Sequence, residues 1–348
     1  MSMRIDKLII ILFAGSLMAA CSSTSDDVEG GNSGIGKKIE LSFSVPDYTL
    51  NMTNGTAASV KSITRAGTVT PGSAAEREIT NLYVFLFPTN SSQVLIKYYI
   101  STAAFTGGTW DTTNNKVILN LTQAEIGMRK VYIVANCLDL KAALDGVTSE
   151  SGFQTVFRQT PKPWSSDLGS PVVMSGNATH DFTSGYQLNN VPLIRAIAKV
   201  ELNIILSSGF QVVPTIIGNS LAEYKYRYVG FDQNTYVVKP DFKTPVTVNS
   251  SSNIWPNTSD WTQWGSSLNS SPTSDSGAGY TLTNSKVVTL KVVTYINEND
   301  AAGSAIEINL PRADEGPLPP PEFGPELYRL PLPVNIARNT WYKYDVTI

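Results

Sequence analysis

The sequence predicts an all-β protein built from β-sandwiches, with only a few short helices. Apolar and polar residues alternate with a period of two in several segments, which is typical of strands with one buried face. Other segments are continuous apolar runs, such as 82–87, which favours a strand covered on both faces. Turns rich in Asn, Ser and Gly separate these segments. Many short strands joined by such turns are characteristic of sandwich folds.

Residues 1–20 have the order of a secretory signal. Arg4 and Lys7 precede an apolar run that ends in small residues and then Cys21. The run is shorter than the roughly 20 residues that span a bilayer. Its end resembles the lipobox of bacterial lipoproteins, which implies cleavage between Ala20 and Cys21, acylation of Cys21, and attachment to the membrane through the lipid. The alternative is an ordinary cleaved signal with an incidental cysteine.

The mature chain begins with a segment, 21–37, that is small, polar and acidic, and we expect it to be a flexible tether. Ser22 and the acidic residues after it resemble the export signals of Bacteroidetes surface lipoproteins. The chain has 348 residues, a formal charge of −3 and no basic stripe. This length favours two domains, and this charge argues against a nucleic-acid partner.

The first predicted strand, 38–50, opens an N-terminal domain assigned to 38–193. Its apolar residues, which alternate with polar ones, are Ile39, Leu41, Phe43 and Val45. A loop, 51–77, rich in Thr, Ala, Gly and Ser, follows it. Further strands are predicted at 82–87, 94–100, 116–121 and 131–135, and short helices at 138–147 and 152–157.

A second set of alternating segments predicts a C-terminal domain at 194–348. Its predicted strands are 198–204, 224–231, 235–238, 287–295, 305–310 and 342–348. The segment 250–279 consists mostly of Ser, Asn, Thr and Gly, and we expect a long surface excursion there.

Three stretches of the chain resemble motifs of the fimbrillins, the pilus proteins of Bacteroidales bacteria. Residues 78–87 are similar to the strand that opens the mature N-terminal domain of that family. Residues 173–200 resemble its Met-Ser-Gly turn followed by the Arg-x-x-Ala-Lys entry into the C-terminal domain, and 336–348 resemble its Arg-Asn-x-x-Tyr closing strand. The three stretches occur in the family's order and together cover nearly the whole chain.

The resemblance implies two tandem transthyretin-like, Greek-key sandwiches that assemble by strand exchange. In this family a protease cuts after an arginine in the loop behind the first strand, and a strand of another subunit fills the vacated groove. Arg65–Ala66 matches that cut, which implies an arginine-specific protease; Lys61 and Arg77 are alternatives. The four alternating apolar residues contribute roughly 1.5–3 kcal/mol each when buried, so the groove is a strong acceptor. The alternative is that Arg65 is a solvated loop residue and the strand stays.

The resemblance further implies a fimbrial adhesion subunit of the outer membrane and cell surface whose partners are other pilus subunits. The chain ends at Ile348 without the donor extension of stalk subunits, which favours a tip or minor accessory subunit. One alternative is a pilus anchor that keeps its lipid and first strand. Others are a surface lipoprotein that never polymerises and binds glycan or protein through the C-terminal domain, and a structural lipoprotein facing the periplasm.

We expect no enzymatic site, cofactor or metal. His180 is the single histidine and is predicted to lie in a loop, and no phosphate-binding glycine motif occurs. Asp232-Gln233-Asn234 is predicted to form a turn, because the remaining ligands of a calcium loop are missing. Cys137 has no intrachain partner if Cys21 is acylated, and it is predicted to be a core residue.

Trp255, Trp261 and Trp264 form a cluster in an otherwise polar segment. Their rings either plug into the C-terminal sandwich and fasten the excursion, or form an exposed platform for a sugar or protein ligand.

Overall fold

Strands make up most of the computed structural model, and helices are few and short, which confirms the all-β prediction. The structure describes residues 36–56, 59–63, 69–160, 164–165, 171–211, 224–241, 243, 245–247, 261–264, 278–311 and 326–348. The strands up to residue 195 are β1 (Lys38–Ser44), β2 (Tyr48–Thr56), β3 (Ser59–Ile63), β4 (Val69–Thr70), β5 (Leu82–Pro88), β6 (Ile96–Ile100), β7 (Ala104–Phe105), β8 (Gly108–Asp111), β9 (Lys116–Thr122), β10 (Met128–Ala135), β11 (Phe157–Gln159), β12 (Trp164–Ser165), β13 (Met174–Asp181), β14 (Gln187–Pro192) and β15 (Ile194–Arg195).

The remaining strands are β16 (Ile197–Ile205), β17 (Lys225–Val229), β18 (Asn234–Tyr236), β19 (Thr262–Gln263), β20 (Gly279–Thr283), β21 (Lys286–Asn297), β22 (Ala305–Leu310), β23 (Glu326–Pro331) and β24 (Thr340–Thr347). The helices are α1 (Ala74–Arg77), α2 (Gln123–Ile126), α3 (Lys141–Asp145) and α4 (Glu150–Gln154), with 3₁₀ turns at Leu138–Leu140 and Ser208–Phe210. Among the helices of the described ranges, none has the length and apolar character needed to cross a bilayer.

Two five-stranded sheets enclose the first hydrophobic core. One has the order β14-β1-β9-β8-β7 and the other β15-β13-β10-β5-β6. Side chains from both sheets meet in a single buried cluster, to which β1 contributes Ile39, Leu41 and Phe43 and β5 contributes Leu82, Val84 and Leu86.

The outer face of the second sheet is also covered. Phe85 and Phe87 of β5 lie within 6 Å, ring to ring, of Phe153 in α4, and Leu144 of α3 belongs to the same buried cluster. β5 is therefore buried on both faces, as its uninterrupted apolar sequence predicts.

A second core lies between two further sheets. One has the order β12-β21-β16-β24-β2-β3, with β20 beside β21 and β4 beside β2; the other is β19-β17-β22-β23. The alternating Val200, Leu202 and Ile204 of β16 and Tyr342, Tyr344 and Val346 of β24 all lie in this core.

The predicted loop at 51–77 is wrong for the residues that the structure describes. β2 pairs in parallel with β24 from Thr49↔Thr340 to Thr56↔Thr347, and β3 and β4 pair with β2. The polar sequence of β2 lacks a clear period, and its partner β24 lies nearly 300 residues away along the chain. Local sequence therefore gives no sign of this strand. Residues 36–348 form one compact unit, and β2–β4 join the sheet of the C-terminal part, so the domain division at 193/194 stays a prediction.

The turn expected at Met-Ser-Gly is wrong, because these residues lie in a strand. Met174, Ser175 and Gly176 open β13, which pairs with β10 over its whole length. His180 lies in the same strand rather than in a loop. The polar residues around His180 suggested a turn, but this segment forms a strand because it pairs with the apolar strand β10.

Candidate functional site

β1 lies between two other strands of its sheet. It pairs in parallel with β14 and antiparallel with β9. The end of β1 is also joined to the residue that follows β14, since Leu193 N donates to Ser44 O at 2.7 Å. If β1 left, both neighbouring strands would lose their backbone partners, and a groove with two open edges would remain.

The inward face of β1 is fully apolar. Ile39 and Leu41 have no exposed surface, Phe43 is 4% exposed, and Val45 is partly buried against the same core. The three buried side chains contribute roughly 5–9 kcal/mol by area. This face gives β1 its affinity for the groove.

The outward face of β1 is polar and paired with its neighbours. Glu40 Oε2 accepts hydrogen bonds from Gln187 Nε2 at 2.8 Å and Lys116 Nζ at 3.1 Å. The hydrogen bond from Gln187 holds the pKa of Glu40 below its ordinary value. Ser44 Oγ lies 2.6 Å from Asn190 Oδ1. These exposed contacts fix register rather than supply much binding energy.

The chain crosses at Pro46–Asp47 from the sheet of β1 to the sheet of β2, and two side chains from distant parts of the sequence hold this crossing. Arg195 Nη1 donates to Pro46 O at 2.7 Å, and Asn339 Nδ2 donates to Asp47 O at 2.8 Å. Asn339 O also accepts from Thr49 N at 3.0 Å. The first two contacts are made to the backbone of the crossing, and the third is made to the backbone at the start of β2.

Arg195 is a fully buried cation. Its Nε donates to Glu76 O at 2.8 Å, and its guanidinium carbon lies 4.3 Å from the centre of the Tyr48 ring. Nη2 makes no hydrogen bond within the described residues. A Cβ on Gly72 would come within 2.8 Å of that nitrogen, so the close approach requires glycine. Burial lowers the pKa of Arg195, although a guanidinium keeps its charge at neutral pH.

Glu76 is the buried anion beside it. Its carboxylate accepts hydrogen bonds from Lys199 Nζ at 3.0 Å and Tyr295 Oη at 2.6 Å, and its Oε2 caps α1 at Ser73 N at 2.5 Å. Burial alone raises the pKa of Glu76, but these hydrogen bonds outweigh it and hold the pKa below the ordinary value. We call Tyr48, Glu76, Arg195, Lys199, Tyr295 and Asn339 the junction cluster.

The junction cluster joins both sides of the predicted processing segment. Tyr48 precedes Arg65 in the chain and Glu76 follows it, while Arg195 contacts both. Arg65 and Ala66 lie outside the described residues. Lys61 falls in β3, and Arg77 is the exposed last residue of α1.

Sequence reasoning missed this cluster, although its residues fall in the quoted motifs. Arg195 and Lys199 are the charged positions of Arg-x-x-Ala-Lys, and Asn339 belongs to Arg-Asn-x-x-Tyr. Two cations within an otherwise apolar stretch, 193–200, were the available signal, because a strand that buries charge requires partners.

Two of the three tryptophans lie in the described residues, and they differ in burial. Trp264 is 1% exposed, and its Nε1 donates to Lys291 O at 2.7 Å. It cannot belong to an exposed platform, because its ring packs at 4.8 Å from Tyr226. Trp261 is half-buried with Arg227 over its ring at 4.9 Å, and Trp255 lies outside the described residues.

The residues considered above for catalysis or metal binding are hydrogen-bonded, buried or ion-paired within the fold. His180 Nε2 lies 2.8 Å from Gly185 O. Cys137 is buried, and burial raises the pKa of its thiol to about 12. Asp232 pairs with buried Lys243 at 2.8 Å. No group of three or more His, Cys, Asp or Glu able to hold a metal occurs among the described residues. Cys21, with the tether, lies outside them.

Sequence comparison identifies the family. The chain is 51% identical over 341 residues to the minor fimbrium tip subunit MfA4 of Porphyromonas gingivalis, which covers 97% of each chain. The family model described as "Minor fimbrium tip subunit MfA4, C-terminal" matches residues 196–347. The chain belongs to the MfA4 family of fimbrium tip subunits. It is thereby a member of the Bacteroidales fimbrillins.

Among solved structures, the tip fimbrial protein Mfa3 of Porphyromonas gingivalis matches at 14% identity and a TM-score of 0.45, over 86% of this chain and 94% of that one. A fimbrial assembly protein of Parabacteroides distasonis matches at 17% identity and a TM-score of 0.34, over 88% and 91%. The family assignment rests on the MfA4 relative. It makes this chain a fimbrial subunit of the cell surface that contacts other pilus subunits.

Proposed function

We propose that this protein is a fimbrial tip subunit that accepts a strand from a neighbouring subunit once its own first strand has been released. The MfA4 relative supports the tip position. The observation that carries the acceptor role is the place of β1, which is paired on both sides and buries an apolar face. Unpaired strand edges above an apolar groove bind an added strand with backbone hydrogen bonds for affinity and side-chain pockets for specificity.

Release begins with proteolysis by an arginine-specific protease in the segment between β3 and β4. A cut between Arg65 and Ala66 separates β1, β2 and β3 from the rest of the chain, while α1 with Glu76 stays behind. Arg77 is a poorer site, because it lies in a helix capped at Ser73 and Glu76. The fragment that leaves carries Cys21, so the same cut frees the subunit from its lipid anchor in the outer membrane.

The work of the protein is mechanical assembly and adhesion rather than catalysis. The relative is a structural subunit of a fimbrium, which supports this role. The residues that define the site hold a strand in place by backbone pairing, apolar contact and buried hydrogen bonds. An acceptor of this kind gains its binding energy from the groove that proteolysis empties.

N-terminal sequencing of the subunit in purified fibres tests the proposal. We expect copies within fibres to begin at Ala66 and unassembled copies to keep an acylated Cys21. A pilus anchor predicts an intact acylated N-terminus on copies in the fibre. A surface lipoprotein that does not polymerise predicts that the subunit is absent from fibres altogether.

A further inference from the structure

Strand exchange, as proposed above, has a consequence for the junction cluster. A cut after Arg65 removes Pro46, Asp47 and Tyr48 together with β1, whereas Arg195 and Asn339 remain in the subunit. The Arg195 side chain loses its contact to Pro46 O, and the Asn339 side chain loses its contact to Asp47 O. The Asn339 carbonyl also loses the hydrogen bond from Thr49 N. The inference below rests on this exchange.

The loss falls heavily on Arg195. Its guanidinium has no exposed surface, and Nη2 lacks a hydrogen bond within the described residues even before release. After release Nε keeps its hydrogen bond to Glu76 O, and Nη1 keeps its bond to Asn339 Oδ1 at 2.5 Å. Nη1 loses the Pro46 carbonyl, however, and the ring of Tyr48 no longer covers the cation. A buried charge that loses part of its surroundings is destabilised, so this position favours a strand that restores them.

The slot for Tyr48 selects for an aromatic ring. Tyr48 is fully buried, with Arg195 at 4.3 Å over one face and the Trp341 ring at 6.3 Å in an edge-on arrangement. Cation–π and edge-to-face contacts both require an aromatic side chain. The Tyr48 hydroxyl makes no hydrogen bond of normal geometry to the residues that the structure describes, so we expect the ring, rather than the hydroxyl, to supply most of the recognition.

We propose that Arg195 and Asn339 form a second recognition site for the exchanging strand. It accepts a strand of another fibre subunit that crosses to the second sheet after its apolar residues and places an aromatic side chain in the slot of Tyr48. The contacts to the backbone of the crossing are independent of sequence, whereas the contact to the ring requires an aromatic residue. Groove and slot together define one pattern, namely three apolar residues in alternation and an aromatic residue five positions after the last, as in Ile39, Leu41, Phe43 and Tyr48.

Peptide uptake tests the site. The full chain is purified in detergent and digested with an arginine-specific protease, and the product is checked for a new N-terminus at Ala66. The probe is a fluorescent peptide of residues 36–50, offered in excess so that it displaces the cut fragment. Compared with the native peptide, the Tyr48→Ala peptide should bind at least tenfold more weakly. The Tyr48→Phe peptide should bind within about threefold. A Lys38→Ala peptide is the matched control. It removes one exposed hydrogen bond, from Lys38 Nζ to Asn120 Oδ1 at 2.9 Å, and should bind within about threefold of the native peptide.

An Arg195→Lys subunit supplies the second arm. It keeps the charge but loses the planar fork that reaches Pro46 O and stacks on the ring, so the difference in affinity between the native and Tyr48→Ala peptides should shrink to less than threefold. Equal binding of the Tyr48→Ala and native peptides to the native subunit would overturn the recognition site while leaving strand exchange standing. Failure of every peptide to bind would overturn strand exchange as well.

Discussion

At the scale of single residues, the junction cluster shows how buried charge can hold a chain that, in the function proposed above, leaves after proteolysis. Glu76 and Arg195 have no exposed surface. Arg195 contacts the backbone carbonyl of Glu76 and the ring of Tyr48. The carboxylate of Glu76 instead binds Lys199 and Tyr295. Their hydrogen bonds reach the backbone on both sides of the predicted cut. Such a network holds the uncut chain firmly, and release of the strand, as proposed, would remove its contacts to residues 46–48 together.

Glu76→Gln should lower the free energy of unfolding of the uncut protein by about 3 kcal/mol, because it leaves Lys199 and Arg195 without a buried anion. Urea denaturation at pH 7 measures the change. Asp300→Asn is the matched control, since Asp300 pairs with Lys239 at 2.8 Å on the surface, and it should cost less than about 1 kcal/mol. Equal losses in the two variants would contradict a special role for the buried carboxylate.

The same carboxylate should make the uncut protein sensitive to acid. Its folded pKa lies below its ordinary value of 4.5, so its contribution to stability is present above that pH and disappears as the pH falls through the folded pKa. The difference in unfolding free energy between the native protein and Glu76→Gln should therefore be greatest near neutral pH and shrink below pH 4.5. A difference that stayed constant with pH would be inconsistent with this assignment.

Trp264→Ala should lower the free energy of unfolding by about 3–5 kcal/mol, because it empties a filled core position. Trp261→Ala should cost clearly less, since Trp261 is only half-buried. Thermal unfolding of both variants provides the comparison. Equal losses of unfolding free energy in the two variants would contradict the difference between the buried Trp264 ring and the half-buried Trp261 ring.

At the scale of elements, β1 combines an apolar face that binds with a polar face that sets register. Its burial pattern alternates along its whole length, and its neighbours pair with it on both sides. The strand is therefore held by many small contributions, each of which can be reproduced by another strand of the same pattern.

Leu41→Ala in β1 should speed release of the fragment that ends at Arg65 at least tenfold, because it removes a fully buried side chain worth about 2–5 kcal/mol. Ser42→Ala, on the outward face, should change the rate by less than threefold. The rate is followed by fluorescence of a label on the fragment after proteolysis. Equal rates in both variants would mean that the apolar face does not control release.

At the scale of the whole molecule, the sequence predicted what depends on local pattern. The alternation of Ile39, Leu41 and Phe43 placed β1, and the apolar run of β5 predicted a strand buried on two faces. β2 was not predicted, because it is held by parallel pairing with β24 at the other end of the chain. The junction cluster escaped for the same reason, since Tyr48, Glu76, Arg195 and Asn339 meet only after folding.

The central claim is that β1 must leave before the subunit can enter a fibre, and a reversible lock on β1 tests it most directly. Ser42 of β1 and Lys116 of β9 are register partners on the outward face. Antiparallel partners have Cα separations of roughly 4.5–5.5 Å, which a disulfide spans without strain. The Ser42→Cys/Lys116→Cys variant can therefore be locked by oxidation. Thr109→Cys/Ile118→Cys, which joins β8 to β9 within the same sheet, is the matched control.

The readout is incorporation of the protease-cut subunit into fibres, with and without reductant. We predict that the oxidised Ser42→Cys/Lys116→Cys variant stays out of fibres and enters them after reduction, whereas the control variant enters in both states. Incorporation of the oxidised, locked subunit at the normal level would contradict the account.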